Sequence, residues 1–261
     1  MSTAVSAEGR SPWIPFPPAQ GARLRLLCFP CAGQGASAYR PWQRLLAPDI
    51  DVVPVQLPGR EGRATEEPYR AMDRLMDGLL PVLREQTRGP YALFGHSLGA
   101  MVAFEAARRL EAEGSPPVRL TVAAQRPPHV PSERAPLHDL PYAAFMTMLG
   151  LYGQVPVELF DDRAALDLAA TGLRADFALV ETYTPARDPR LTCPVTALAG
   201  LADGSIPPAS MRGWQAVTEG PFTFRPVPGG HFFVNERTEE IVGLLRAALT
   251  QGPRAATRRG G

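Results

Sequence analysis

Ser97 stands at the centre of Gly95-His96-Ser97-Leu98-Gly99, a G-x-S-x-G run. The apolar stretch Tyr91 to Phe94 precedes it and the helix-forming stretch Ala100 to Leu110 follows, so the serine falls where a strand turns sharply into a helix. That context predicts an exposed hydroxyl near the positive end of a helix, the setting of a nucleophile elbow. A serine hydroxyl attacks a carbonyl only when a histidine takes its proton, and the histidine needs a carboxylate to hold its tautomer. Of the four histidines, His96 lies beside the serine and is expected to pack or hydrogen-bond with its ring turned away. His129 and His138 fall where surface contacts are expected. His231 follows Pro228-Gly229-Gly230 directly after a strand-like run, and its two glycines let the loop bend inward at a sheet edge, so it is the candidate base.

Asp203 follows the apolar run Val195 to Ala199 and Gly200, which places it at a strand's C-terminal end like Ser97 and His231. It is the candidate carboxylate. Asp188 is the alternative, though it precedes that strand and belongs to the opposite edge. Acyl transfer also needs donors for a developing oxyanion: the backbone N–H of Leu98 is one candidate, and Ala32, in the small-residue loop Phe29 to Gly35, is the other. Cys31 offers the same loop donor in a register shifted by one residue. The glycines of that loop have no G-K-[ST] behind them and no G-x-G-x-x-G, so phosphate binding there is a weak reading.

Elements that can position these groups are legible along the chain. Strands are expected at 23–29, 52–56, 91–94, 120–124, 195–199 and 222–227, and helical patterns at 39–47, 69–86, 100–112 and 236–249 alternate with them. This order predicts an α/β fold, a mostly parallel central sheet with helices on both faces. Residues 131–185 carry no strand-like run and read as two helices, 140–151 and 164–183, with Gly153 and Pro156 between them. Fifty-five residues is too long for an ordinary connection, so a helical insertion serving as a lid is expected. Its apolar residues, Met148 and Phe177 among them, are candidates to line an acyl pocket. Residues 1–22 read as an extended lead-in with Trp13, Ile14 and Phe16 available for packing, and 251–261 as a disordered tail. The body of the domain is then 23–250.

Composition narrows the chemistry further. All 27 Lys-plus-Arg residues are arginine, which excludes a lysine Schiff base and a Ser-Lys dyad. A net charge of +1 with dispersed arginines leaves no electrostatic footprint for nucleic acid. Three cysteines are too few for a disulfide framework, and Cys28-x-x-Cys31 has no second pair for zinc, so no metal or cofactor is expected. No apolar run is long enough to span a membrane and the start lacks the order of a secretory signal, which predicts a cytoplasmic protein.

The chain resembles the type II thioesterases, the free-standing editing hydrolases of modular polyketide and nonribosomal peptide synthases, within the α/β-hydrolase superfamily. The resemblance spans roughly 22–249. It rests on Phe29-Pro30-Cys31-Ala32-Gly33, on Gln56-Leu57-Pro58-Gly59-Arg60-Glu61 with Arg63, on Gly89-Pro90-Tyr91 leading into the serine motif, on Leu173-Arg174-Ala175-Asp176, and on Gly229-Gly230-His231-Phe232-Phe233. It implies that Ser97, Asp203 and His231 form a triad. It further implies an acyl chain thioesterified to the phosphopantetheine arm of an acyl or peptidyl carrier protein as the substrate. Family members commonly carry an aromatic residue or histidine at the position of Cys31 and glycine at that of Gln34, departures that bear on the pocket mouth. Two other readings share the same residues: a short-chain carboxylesterase acting on free esters, and a noncatalytic carrier-binding protein that keeps the fold.

Overall fold

The computed structural model describes residues 11–19, 21–132, 134–151, 162–185 and 190–250. Six strands, β1 (Leu24–Phe29), β2 (Ile50–Pro54), β3 (Tyr91–His96), β4 (Arg119–Ala123), β5 (Val195–Gly200) and β6 (Phe222–Val227), form one sheet in the order β2-β1-β3-β4-β5-β6. Every pairing is parallel. Strands β2, β3 and β5 are buried along their whole length, which is why they read as nearly unbroken apolar runs. The second strand begins two residues earlier than its hydropathy suggests, because Ile50 and Asp51 pair with Leu24 and Arg25. Its expected end leaves the sheet, where the N–H of Gln56 turns to the carbonyl of Trp13.

Two layers cover the sheet. Helices α1 (Arg40–Leu46) and α8 (Thr238–Thr250) enclose a core with Trp42, Phe94 and Phe233. The opposite core, holding Phe29, Leu93 and Trp214, takes in α2 (Met72–Gln86) and α3 (Leu98–Ala112). The lead-in packs onto this second layer: Trp13 and Ile14 are buried, and Arg63 stacks 4.3 Å from the Trp13 ring. Phe16 lies under the Arg40 guanidinium. The tail 251–261 lies outside the described residues.

Between β4 and β5 the described residues contain no strand, and the chain forms α4 (Tyr142–Leu151) and α5 (Arg163–Glu181). Gly153, Pro156 and Asp188 fall outside the described residues. Buried Phe145, Leu149, Leu173 and Leu179 join α4 and α5 to the core on the α3 side, so the insertion shares the core of the main body. Short helices α6 (Pro208–Met211) and α7 (Phe233–Glu236) complete the C-terminal part.

The order of strands has one reversal that matters for chemistry. The chain goes outward from β1 to β2, then returns to the other side of β1 for β3, so the loops leaving the C-terminal ends of β1 and β3 diverge there. Open α/β sheets place ligands in that crevice.

Candidate active site

Ser97 is the junction between β3 and α3, with φ 54° and ψ −115°, a left-handed conformation that a residue with a Cβ adopts at a cost. Its neighbours make the turn possible. A Cβ on Gly95 would lie 2.1 Å from the carbonyl oxygen of Gly99, and one on Gly99 would lie 2.0 Å from that of Phe29. Both contacts are with backbone, so nothing can give way. The two glycines of the motif therefore let strand, helix and the β1 loop approach one another.

His231 reaches the serine from the loop after β6. Its Nε2 lies 3.0 Å from Ser97 Oγ and its Nδ1 lies 2.8 Å from Asp203 Oδ2. Asp203 comes from the loop after β5, and the N–H of Ala202 donates to the Gly229 carbonyl at 2.8 Å, which ties the two loops together. The other carboxylate oxygen of Asp203 accepts the N–H groups of Ser205 and Ile206 and the Ser205 hydroxyl at 2.8, 2.9 and 2.6 Å. Burial pushes the Asp203 carboxyl up, but the hydrogen bond and charge of His231, with the Ser205 and Ile206 donors, outweigh it and hold the group down at about 2. The aspartate is thus ionised throughout the physiological range.

His96 behaves as its position suggests. It is fully buried, and the His231 carbonyl oxygen sits 2.8 Å from its Nε2, which assigns the proton to that nitrogen. Burial, followed by the nearby His231, pushes its imidazole down to about 3. A neutral His96 therefore holds the backbone of His231 from behind. His138 instead binds Glu181 at the base of α5, with Nδ1 2.6 Å from Oε2.

A cavity of about 110 Å³ opens over these groups, lined by Ala32, Ser97, Phe177 and His231 among others. Leu98 begins α3, so its N–H is one of the helix-terminal amides without an intrahelical partner, beside Ser97. Ala32 reaches the same space from a tight turn closed by the Gln34 N–H on the Cys31 carbonyl at 3.1 Å. Cys31 and Met148 are not part of the lining of this cavity. Cys31 is wholly buried with its thiol beside Ser97 and His231, where burial pushes that thiol up to about 12, and Met148 is half-buried on α4 away from the cavity lining. Phe177, from α5, does line the cavity and packs edge-on against Phe145.

Two contributions escape a reading of the sequence alone. The Ser205 hydroxyl lies 3.0 Å from His231 Nδ1 as well as touching Asp203, a three-way contact for which a lone serine in a loop gives no signal. The motif residues Arg60 and Asp176 form a buried bidentate ion pair at 2.6 and 2.8 Å, and Asp176 Oδ2 also accepts the Gly33 N–H at 2.9 Å. The segments that carry these residues stand out in the sequence, but nothing there shows that they meet.

With this geometry in place, comparison with known proteins is decisive. The thioesterase domain model matches residues 24–249. The chain belongs to the thioesterase family. It is 36% identical to "Thioesterase PikA5" of Streptomyces venezuelae, over 88% of this chain and 82% of that protein. The structure of the type II thioesterase BorB from the borrelidin biosynthetic cluster superposes with a TM-score of 0.80 at 36% identity, covering 91% of this chain and 96% of the other. ClbQ from the colibactin NRPS/PKS pathway gives a TM-score of 0.80 at 29% identity, over 87% and 97% of the two chains. The protein is a type II thioesterase domain with the α/β-hydrolase fold, and its enzymatic class is that of a hydrolase. No helix among the described residues is long and apolar enough to cross a membrane.

Proposed function

We propose that this thioesterase removes stalled or mis-primed acyl groups from the phosphopantetheine arm of acyl or peptidyl carrier domains in a modular polyketide or nonribosomal peptide synthase, within the cytoplasm. The observation that carries the reading is the continuous hydrogen-bonded line from Ser97 through His231 to Asp203, opening onto a cavity. Similarity to thioesterases of such pathways supports the substrate class.

In this reaction His231 Nε2 takes the proton of Ser97 Oγ as the oxygen attacks the thioester carbonyl. Asp203 keeps the Nδ1 proton in place and stabilises the imidazolium. The backbone N–H groups of Leu98 and Ala32 receive the oxyanion, and collapse expels the pantetheine sulfur, which His231 protonates. A water then enters, His231 takes its proton, and a second tetrahedral intermediate releases the free acid and restores Ser97 Oγ–H. The insertion, with Phe177 facing the cavity, acts as the cover of the acyl site. None of these steps calls on a metal or cofactor.

The deciding experiment measures kcat/KM for one acyl group carried on a carrier protein, on free pantetheine and on an alcohol as an oxygen ester, with Ser97→Ala as the blank. Carrier-bound thioester is expected to be the best substrate and Ser97→Ala to be inert. Equal efficiency on the oxygen ester favours a general esterase, and hydrolysis that survives Ser97→Ala overturns the assignment of the nucleophile.

A further inference from the structure

The residues after β4 are used by none of the steps above, yet they face the reacting atoms. Ala124 has φ 51°, a left-handed conformation that a residue with a Cβ rarely adopts, and Gln125 and Arg126 after it both line the cavity with Ser97 and His231. The backbone there is pinned: Trp214 Nε1 donates to the Gln125 carbonyl at 2.6 Å. The side chains hold unspent bonding capacity. Gln125 is 5% exposed, and its Oε1 is buried without a hydrogen-bond partner. Arg126 is half-buried and anchored by Nε on the Val130 carbonyl at 3.2 Å, while its terminal nitrogens make no hydrogen bond or ion pair among the described residues.

Two other charged side chains face Arg126. Glu181 lines the same cavity, but its oxygens accept the Leu137 and His138 N–H groups and the His138 ring. Arg134 lines the cavity as well and adds positive charge near Arg126, with a terminal nitrogen on the Gly204 carbonyl at 2.6 Å. A second cavity shares Arg126, Arg134, Ser132 and Ser205 with the first.

The Arg126 guanidinium, a fork of N–H donors partly withdrawn from water in the cavity lining, matches a planar or tetrahedral oxyanion, whereas the unpartnered Gln125 Oε1 can only accept a hydrogen bond. We infer that Arg126 forms an anion subsite of the catalytic cavity, which binds a negatively charged oxygen group of the substrate. Two parts of a carrier-bound thioester carry that chemistry: a carboxylate at the far end of the acyl unit, and the phosphodiester of the pantetheine arm. The inference rests on the thioesterase reading above.

The test uses matched pairs on the intact protein. One arm compares malonyl-pantetheine with propionyl-pantetheine, and the other compares propionyl-4′-phosphopantetheine with propionyl-pantetheine. In one arm the charged member is expected to exceed its neutral partner in kcat/KM by about tenfold, the range of a charge-assisted hydrogen bond. That ratio is expected to fall toward one in Arg126→Gln, to be partly kept in Arg126→Lys, and to shrink with added salt in the wild type. The responding arm identifies the anion. Ratios of one or less in both arms for the wild type overturn the subsite, as does a ratio that Arg126→Gln and salt both leave unchanged. Should Arg126→Gln not fold, the wild-type ratios and their salt dependence decide. Failure of propionyl-pantetheine to be hydrolysed at all would instead count against the thioesterase reading.

Discussion

The backbone N–H of Gly33 donates to the Asp176 carboxylate at 2.9 Å across 143 residues of sequence, joining the loop after β1 to helix α5 of the insertion. Ala32, the candidate oxyanion donor, is the residue before Gly33. The orientation of that loop thus depends on α5 being seated, and α5 is held down by the same carboxylate through its bidentate pair with Arg60. Gln56 closes the assembly: its Oε1 accepts the Ala36 N–H at 2.8 Å and its Nε2 donates to the Arg60 carbonyl at 3.0 Å. Asp176→Ala is expected to leave the buried Arg60 uncompensated and to cost about 3–5 kcal/mol of stability. Acylation should slow more than substrate binding weakens. The double variant Arg60→Met/Asp176→Leu is expected to regain stability but not turnover, since Gly33 still lacks its acceptor. Thermal unfolding and single-turnover rates on the three proteins check this, and a double variant with full turnover would show that the Gly33 contact is dispensable.

Much of this arrangement is legible in the sequence because a parallel sheet buries both faces of its strands. Runs such as Leu93-Phe94 and Val195 to Ala199 stand out as unbroken apolar segments, and Ser97, Asp203 and His231 each follow a strand. What cannot be read is what depends on a side chain's direction or on two distant segments meeting. Met148 and Phe177 are both apolar residues on helices of the insertion, yet only the second is turned into the cavity. Cys31 precedes Ala32 in the same loop, but one peptide unit separates a thiol sealed from solvent beside Ser97 from a residue that lines the cavity. Hydropathy also misses the start of β2, because Asp51 is buried there by pairing and by accepting the Ala19 N–H rather than by being apolar.

The acyl-chain consequence separates those two helix residues. Phe177→Ala enlarges the cavity and is expected to move the preferred acyl length upward, with kcat/KM for the longer chains rising relative to acetyl. Met148→Ala is expected to leave the preference in place. Competition among acyl-pantetheines of increasing length measures both, and an equal shift from the two substitutions would mean that the pocket is shaped by the insertion as a whole.

Asp203 predicts how acid acts on the fold. Its carboxyl stands at about 2 in the folded protein against 3.8 for the unperturbed group, so the stabilisation is present above the unfolded value and is lost as pH falls from there toward 2. The side chain is buried, so solvent screening takes little from it, and the gap between the two values is worth roughly 2–3 kcal/mol. Asp203→Asn is expected to remove that part of the acid sensitivity while lowering kcat on the order of 10⁴-fold, through loss of the correct His231 tautomer. Urea titrations between pH 5 and pH 2, set beside single-turnover hydrolysis at neutral pH, test the two effects on one variant. Normal turnover in the asparagine variant would pass the carboxylate role to another residue.

His96 acts in a higher pH window. Its folded-state value of about 3 lies below the unperturbed 6.5, because burial disfavours the charged ring. Between those values the unfolded chain binds a proton that the folded protein does not, so stability should drop as the solution is acidified, by up to about 1.4 kcal/mol per pH unit, beginning near 6.5. His96→Gln removes the titration and keeps an N–H group able to donate to the His231 carbonyl. It is therefore expected to flatten the stability profile between pH 6.5 and about 4 while retaining hydrolysis, whereas His96→Phe flattens the profile and also loses turnover as the backbone of His231 is freed. Denaturant unfolding across this range, with kcat on each variant, carries the comparison. A His96→Gln profile as steep as the wild type would place the proton uptake on another group.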